Sequence, residues 1–463
     1  WCLHSLLAWG GGGHALLRCR LEGGEDPPAV PSQTPHYPAA DRPERHVQDL
    51  WGLRFTGHPD PRRWTRHQAW PEGRHPLREA LGPEDLPGRA PPDRDYPFRR
   101  IQGAGVHEIP VGPVHAGIIE PGHFRFQAVG EEILLMEERL GYVHKGIEAL
   151  AVGRDAEGLL RLAARVSGDS AVAHAWAACQ ALEAAAGVEP PPAAAWLRGL
   201  LLERERVANH LGDIGAVCND VGFAFMQAQC SRLREAWLRR NAELFGHRLL
   251  MDLLRPAGVA VAPGRDRLRA LRADHAWLRG ELARLGELLE DHPPLEDRLI
   301  GTGRLPPEAA RRLGALGYVG RASGMDLDLR RDAPHPPYDA IPPRVAVRSE
   351  GDVNARVAVR LEELLASLDL MDALLDGWPE GPVQGPWPGA APGGEGLGLV
   401  EGWRGETVAY LRLDRRGRVA RYFPRDPSWL LWPALEALLA GNIVPDFPVC
   451  NKSVNASYAG HDL

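Results

Sequence analysis

The sequence predicts an α+β protein in two parts: a small α/β domain over residues 1–82, then a mostly helical domain with small β-sheets over residues 99–463. Three observations carry this reading. Leu268, Leu271, His275, Leu278, Leu282, Leu285 and Leu289 recur three or four residues apart, the spacing of one buried helix face. Phe124–Arg125–Phe126–Gln127–Ala128 alternates with the period of a half-buried strand. Between the two parts, residues 83–98 begin PEDLPGRAPPDRDYP, a Pro/Arg/Asp-rich linker that puts the boundary near residue 98.

The length of 463 residues suits two or three domains. Apolar residues make up 44% and charged residues 25%, the balance of an ordinary globular protein. Lys and Arg number 54 against 61 Asp and Glu, a net charge of −7 with no basic block. That mixture argues against a nucleic-acid partner. No apolar run approaches the roughly 18–20 residues that span a bilayer, so membrane association is expected through partner subunits. No charged start leads into an apolar signal segment, and the chain opens on Trp1 rather than Met, so a start further upstream is expected. The six cysteines, Cys2, Cys19, Cys179, Cys218, Cys230 and Cys450, form no C-x-x-C pair. They read as scattered buried thiols, not as a disulfide framework or a zinc or iron–sulfur cradle.

In the first domain, Leu16–Leu21 reads as a strand ending in the turn Gly23-Gly24. A helix begins near Asp41 as N-cap, with Arg45, Val47 and Leu50 following. His58, Asp60 and His75 are metal-ligating types, but Pro/Gly turns separate them without ligand periodicity. In the second domain, helices dominate from Gly187. Leu197, Leu200, Leu201, Ala208 and Leu211 form one stripe behind Pro190–Pro192, and Val357, Leu361, Leu364, Leu368, Met371 and Leu375 form another. Such seams are bundle core, and His275 within one reads as a core histidine. Asp376–Gly398 reads as loop. Thr407–Leu413 and Arg418–Phe423 read as a hairpin turning at Asp414–Gly417, and a last helix spans Trp432–Leu439 and stops at Gly441.

One stretch, His107–Gly146, concentrates chemistry: His115, His123 and His144, Glu120, and the pair Gly112-Pro113. Gly117 and Gly122 allow tight backbone on either side of Glu120. With Ile118 and Ile119 before it, the carboxyl is expected to be partly desolvated, which raises its pKa and suits it to passing protons. Most loop glutamates are merely solvated, so pattern alone does not assign this one a role.

These residues resemble the opening of the large subunit of membrane-bound, energy-converting [NiFe] hydrogenases, the formate hydrogenlyase and hydrogenase-4 type, and of the related 49-kDa subunit of complex I. The resemblance implies that Glu120-Pro121-Gly122-His123 carries a proton-gate glutamate and that His115 stands where complex I relatives reach a quinone headgroup; their second histidine has no counterpart here. Glu44-Arg45, Asp49, Gly52 and Gly57-His58-Pro59-Asp60 are similar to the signature of the 30-kDa subunit of complex I, which implies that residues 1–82 are a scaffold domain. Further matches are Glu203…Arg206…His210, three positions on one helix face suited to a buried polar relay, then Ala322-Ser323-Gly324…Asp328…Arg330, and Glu401-Gly402-Trp403-Arg404-Gly405-Glu406, whose turn the resemblance places over the active-site cavity.

The metal positions depart from the pattern. The family supplies two C-x-x-C pairs to nickel and iron. Here the frame Arg165-Val166-Ser167-Gly168-Asp169-Ser170 holds serine at both first positions, and Asp446…Cys450…Ser453 keeps a single cysteine. Serine hydroxyls are poor nickel ligands, so no [NiFe] centre and no firmly bound cofactor are expected; Cys450, with Ser167, Ser170 and Ser453, would form a degenerate, empty metal site. The resemblance implies catalytic roles for Glu120, His115, His123 and Arg404, and cofactor contacts at His115, Ser167, Gly168 and Ser170. It also implies an iron–sulfur small subunit bearing a [4Fe–4S] cluster, membrane proton-pumping subunits, a quinone-like acceptor, and a peripheral place on the cytoplasmic side of the inner membrane. The expected function is an oxidoreductase large subunit coupling electron transfer to proton movement; the alternative is a non-catalytic structural and coupling subunit.

Overall fold

The computed structural model describes residues 1–21, 26–67, 70–71, 73–79, 96–115, 117, 119–261, 263–290 and 292–463. The turn at Gly23-Gly24, most of the linker and Ile118 lie outside the described residues. The fold is α+β throughout, with small sheets set among many helices.

The first part opens with an antiparallel hairpin of β1 (Cys2–Trp9) and β2 (Gly13–Arg20), so the strand expected at Leu16–Leu21 starts earlier and has a partner. A short parallel pair, β3 (Ala29–Pro31) and β4 (Arg54–Thr56), flanks helix α1 (Asp41–Trp51). Asp41 is the first helical residue rather than the cap, and Gly52 ends the helix in the left-handed region. This part is pinned to the second by buried polar contacts. His46 meets Glu148 at 2.6 Å, Trp64 Nε1 donates to His461 Nε2 at 3.1 Å, and Arg42 lies 3.4 and 3.3 Å from Glu138 and Glu436.

The second part starts with a three-stranded sheet of β5 (Val106–Val111), β6 (His123–Val129) and β7 (Glu132–Arg139). The alternation at Phe124–Ala128 is the centre of β6, whose Phe124 and Phe126 are fully buried against Phe447. Short helices α2 (Ile147–Ala151) and α3 (Ala156–Ala163) lead into α4 (Ala171–Ala186) and the 29-residue α5 (Pro192–Asp220). Helicity therefore begins before Gly187; α4 is alanine-rich and buried nearly all round, so no amphipathic stripe announces it. Then come α6 (Ala224–Phe245), a two-residue pair β8 (Leu254–Arg255) and β9 (Gly258–Val259), and α7 (Arg265–Glu290), the leucine-seamed helix. His275 on that seam is fully buried and bonds Asp372 at 2.7 Å. Four short helices, α8 (Pro293–Leu299), α9 (Pro307–Leu313), α10 (Gly317–Ala322) and α11 (Leu329–Asp332), precede α12 (Val353–Asp376).

The loop expected over Asp376–Gly398 gives way at Glu395 to a strand, β10 (Glu395–Gly402), which joins β11 (Gly405–Leu413) and β12 (Val419–Arg425) in a three-stranded sheet. Its glycines disguised it, and they serve a packing purpose. A Cβ on Gly396 or Gly398 would collide with the Ala181 or Ala177 carbonyl of α4. Two strand residues rise about 6.6 Å and four helix residues about 6.0 Å. Alternate glycines therefore meet successive helix turns, and backbone lies directly on backbone. Gly398→Ala is expected to lower stability by about 1–3 kcal/mol, because neither backbone can rotate aside. Gly280→Ala, on open helix surface, is the control. Equal thermal midpoints for the two variants would refute this account.

The chain closes with three helices rather than one: α13 (Ser428–Leu439), α14 (Phe447–Val454) and α15 (Tyr458–Asp462). Asn455, at φ 40°, makes the corner between the last two. Among the described residues, no helix is long and apolar enough to cross a membrane.

Candidate functional site

The serine turn sits between α3 and α4. Ser170 occupies the cap position of α4 but does not cap it. The free N–H groups of Val172 and Ala173 instead donate to the Glu205 carboxylate of α5, at 2.7 and 3.2 Å. A helix N-terminus favours such an anion, yet burial outweighs it and pushes the Glu205 carboxyl up to about 8. Freed from capping, Ser170 accepts from Arg404 Nη1 at 3.2 Å. Arg404 clamps Asp169 with two bonds, 2.7 and 2.6 Å, and donates Nε to the Asn455 carbonyl. Burial works against the charge of Asp169, but Arg404 prevails and holds that carboxyl below its usual range. Ser167 donates to the same aspartate at 2.7 Å and shares a hydrogen bond with Ser457. Gly168 faces outward at the surface of the turn.

Arg404 is carried by the tight turn between β10 and β11. Gly317 and Gly405 meet there so closely that a Cβ on Gly317 would strike the Arg404 carbonyl. Both take positive φ, at 56° and 127°, which only glycine adopts freely. The first part of the chain braces the turn as well. His14, in β2, donates to Glu406 at 2.6 Å, and that bond holds its imidazole above its usual pKa.

The residues expected to form the second half of a degenerate metal site lie on α14. Ser453 Oγ donates to the Cys450 carbonyl at 2.7 Å and accepts from Arg356 Nε at 2.9 Å. Arg356 also donates to the carbonyls of Gly351 and Gly303. Cys450 is fully buried, and burial pushes its thiol up to about 12, far from the thiolate that binds metal. Cys179, Cys218 and Cys230 are buried like it, whereas Cys2 and Cys19 are exposed on the hairpin, contrary to the expectation of uniformly buried thiols. The two halves are joined through side chains. Arg360 donates to the Ser453 carbonyl and to Asp213, and Asn455 donates to the same aspartate.

The histidine stretch forms the loop from β5 to β6. His115 Nε2 donates to the Gly122 carbonyl at 2.8 Å, and His123 Nδ1 donates to the Gly112 carbonyl at 3.2 Å while its Nε2 accepts from Arg125. Burial, helped by Arg125 and His115, lowers the His123 pKa, so this ring is neutral near pH 7. Glu120 accepts the Ala459 N–H of α15 at 2.9 Å. It is half-buried, but Ile119 beside it is 43% exposed, so the apolar shelter expected from that residue is missing. Among the described residues, no hydrogen bond links His115 or His123 to the serine turn. Glu120 does approach it, because Ser457, two residues before Ala459, meets Ser167.

Asp169, Arg356, Arg360 and Glu205 were not singled out by sequence reasoning. Arg356, Arg360 and Glu363 recur four and three residues apart along α12, a polar stripe beside the leucine seam that would have marked a buried ionic face. The expected Glu203–Arg206–His210 face is fully buried. His58 and Asp60 bond Glu44, Thr34, Arg45 and Arg62 as structural partners. No group of three or more His, Cys, Asp or Glu suited to a metal ion occurs among the described residues.

Residues 220–389 match the family model of the respiratory-chain NADH dehydrogenase 49 Kd subunit, residues 4–85 that of the 30 Kd subunit, and residues 145–212 that of nickel-dependent hydrogenase. Formate hydrogenlyase subunit 5 of Escherichia coli is 32% identical over all of this chain and 82% of its own length. Hydrogenase-4 component G of the same organism is 35% identical over 93% of this chain and 75% of its own. A solved chain of the membrane-bound sulfane sulfur reductase, an archaeal respiratory membrane complex, superposes with a TM-score of 0.73 at 28% identity, covering 78% of this chain and 99% of its own.

Proposed function

The chain belongs to the family of formate hydrogenlyase subunit 5 and hydrogenase-4 component G, large subunits of the hydrogenase and NADH-quinone oxidoreductase superfamily, and from that premise we propose an electron- and proton-handling large subunit whose site no longer takes nickel. One observation carries the reading. At the four positions where a [NiFe] centre takes thiolates, three hydroxyls are already committed to Asp169, Ser457, Arg404, Arg356 and the Cys450 carbonyl, and the one thiol is protonated. Two guanidinium groups, Arg404 and Arg356, point at those hydroxyls, and their charge opposes a dication. The donor set does not fit a nickel–iron centre, and no step is derived through one.

Electrons would come from a [4Fe–4S] cluster on an iron–sulfur small subunit and pass to a quinone-like or other oxidant beside the Ser167–Ser170 turn. Arg404, paired with Asp169, would fix the hydrogen-bonding frame beside which the acceptor gains electron density. Glu120 would supply protons from the N-terminal end of α15, and His115 and His123 would shape the loop that holds it. Membrane proton-pumping subunits and a peripheral position on the cytoplasmic side of the inner membrane belong to the same proposal, as does the division into domains at 1–82 and 99–463, supported by family matches that stop at residue 85 and resume at 145. Metal analysis of the purified complex tests the reading. Nickel far below one per chain, with no hydrogen uptake, is expected; about one nickel per chain with hydrogen uptake would end it.

A further inference from the structure

Behind the Arg404 turn lies a closed ionic cluster. Glu203, Arg206 and His210 come from α5, Arg321 from α10, Asp328 and Arg330 from the start of α11, Glu363 from α12 and Glu401 from β10. None of the eight is more than 4% exposed. The cluster contains four carboxylates, three guanidinium groups and one imidazole. If every carboxyl were ionised and the imidazole neutral, it would carry one uncompensated negative charge in the interior, a strongly unfavourable state. A proton held among these groups relieves that charge.

The hydrogen bonds say where. Glu203 receives Arg330, Arg206, Tyr338 and Ser367, all within 3.1 Å. Asp328 receives Arg330 through side chain and backbone, within 3.0 Å. Glu363 receives Arg321 at 2.8 Å and His210 at 2.9 Å. Glu401 has one strong partner, Arg321 at 2.9 Å on Oε1, while Oε2 receives only a long 3.4 Å bond from the Leu329 N–H. His210 is the other conceivable carrier. Its Nε2 already donates to Glu363, and burial, with Arg206 and Arg360 nearby, holds the imidazole below its usual pKa.

We propose that Glu401 is a protonated, proton-storing carboxyl serving the Arg404 site, an inference that rests on the proton-handling reading above. The connection is short. Glu401 lies three residues before Arg404, and Arg206 of the cluster donates to the Glu401 and Gly402 carbonyls of the same strand. Negative charge arriving beside Arg404 favours the protonated form of this group, with the proton taken up from solvent, and its departure favours release of that proton to solvent. Burial, then Asp328, raise the Glu401 carboxyl to about 7 against the pull of Arg321 and Arg330.

Infrared difference spectra of the complex with and without Glu401→Gln test the protonation. Expected is a protonated-carboxyl stretch that fades as pH rises through about 7 and is missing from the variant. Equal spectra would overturn the assignment. A variant that fails to fold would also overturn it, because glutamine copies the protonated carboxyl in size and hydrogen bonding. Unfolding gives a second reading. A carboxyl whose folded pKa stands above its unfolded value stabilises the protein fully below the unfolded pKa, and that contribution is lost as pH rises from about 4.5 to about 7. Wild type is expected to lose stability relative to Glu401→Gln across that window. The storage role has its own readout: the variant must shift the pH profile of turnover. An unmoved profile alongside the expected spectrum overturns storage, and neither spectrum nor unfolding depends on the outcome of the metal analysis.

Discussion

Replacing Arg321 with methionine is expected to lower the unfolding free energy by about 3–5 kcal/mol, the cost of removing one partner from a buried ion pair. Arg321 serves two carboxyl groups at once, Glu363 at 2.8 Å and Glu401 at 2.9 Å, and also the Leu327 carbonyl. Methionine fills much of the same volume, so little of the loss comes from a cavity. Glu363 keeps His210, with Arg206 3.6 Å away, whereas Glu401 loses its only strong bond. Adding Glu401→Gln should return part of the stability, because the two residues are directly coupled. Urea unfolding of the single and double variants checks this. Additive losses would mean that the pair does not interact as its geometry requires.

Glu120→Gln is expected to reduce turnover of the assembled complex by roughly 100-fold, the usual scale of a lost proton-transfer group. Glutamine can still accept the Ala459 N–H through its amide oxygen, so the contact with α15 survives and assembly is unaffected. His115→Ala is the companion variant, because it frees the Gly122 carbonyl at the end of the same loop. Wild-type turnover in both would remove Glu120 from proton transfer and favour a structural coupling subunit.

Much of this architecture was legible in the residues. The seams of α7 and α12 read correctly because each helix has one wet and one dry side, and periodicity detects that contrast. α4 and β10 escaped for the opposite reason. Packed on each other, they need small residues rather than a stripe, so Ala171–Ala186 showed little pattern and Gly396 and Gly398 looked like loop. The C-terminal helices were hidden by length: α14 and α15 span eight and five residues, too few for a clear period. At the site, the exchange of cysteine for serine was visible residue by residue. The hydrogen-bonded network around those serines was not, because Asp169, Arg404 and the α12 pair Arg356 and Arg360 come from three distant places in the chain and acquire meaning only when folded together.

The seat of α4 on β10 bears on how such a centre can change its chemistry. The helix that begins at Ser170 and the strand that ends before Arg404 are spaced by main-chain contact, which no single side-chain exchange in the site disturbs. Ligands can therefore be swapped one at a time while their anchor points stay put. A lineage could trade thiols for hydroxyls and guanidinium groups without passing through an unfolded ancestor.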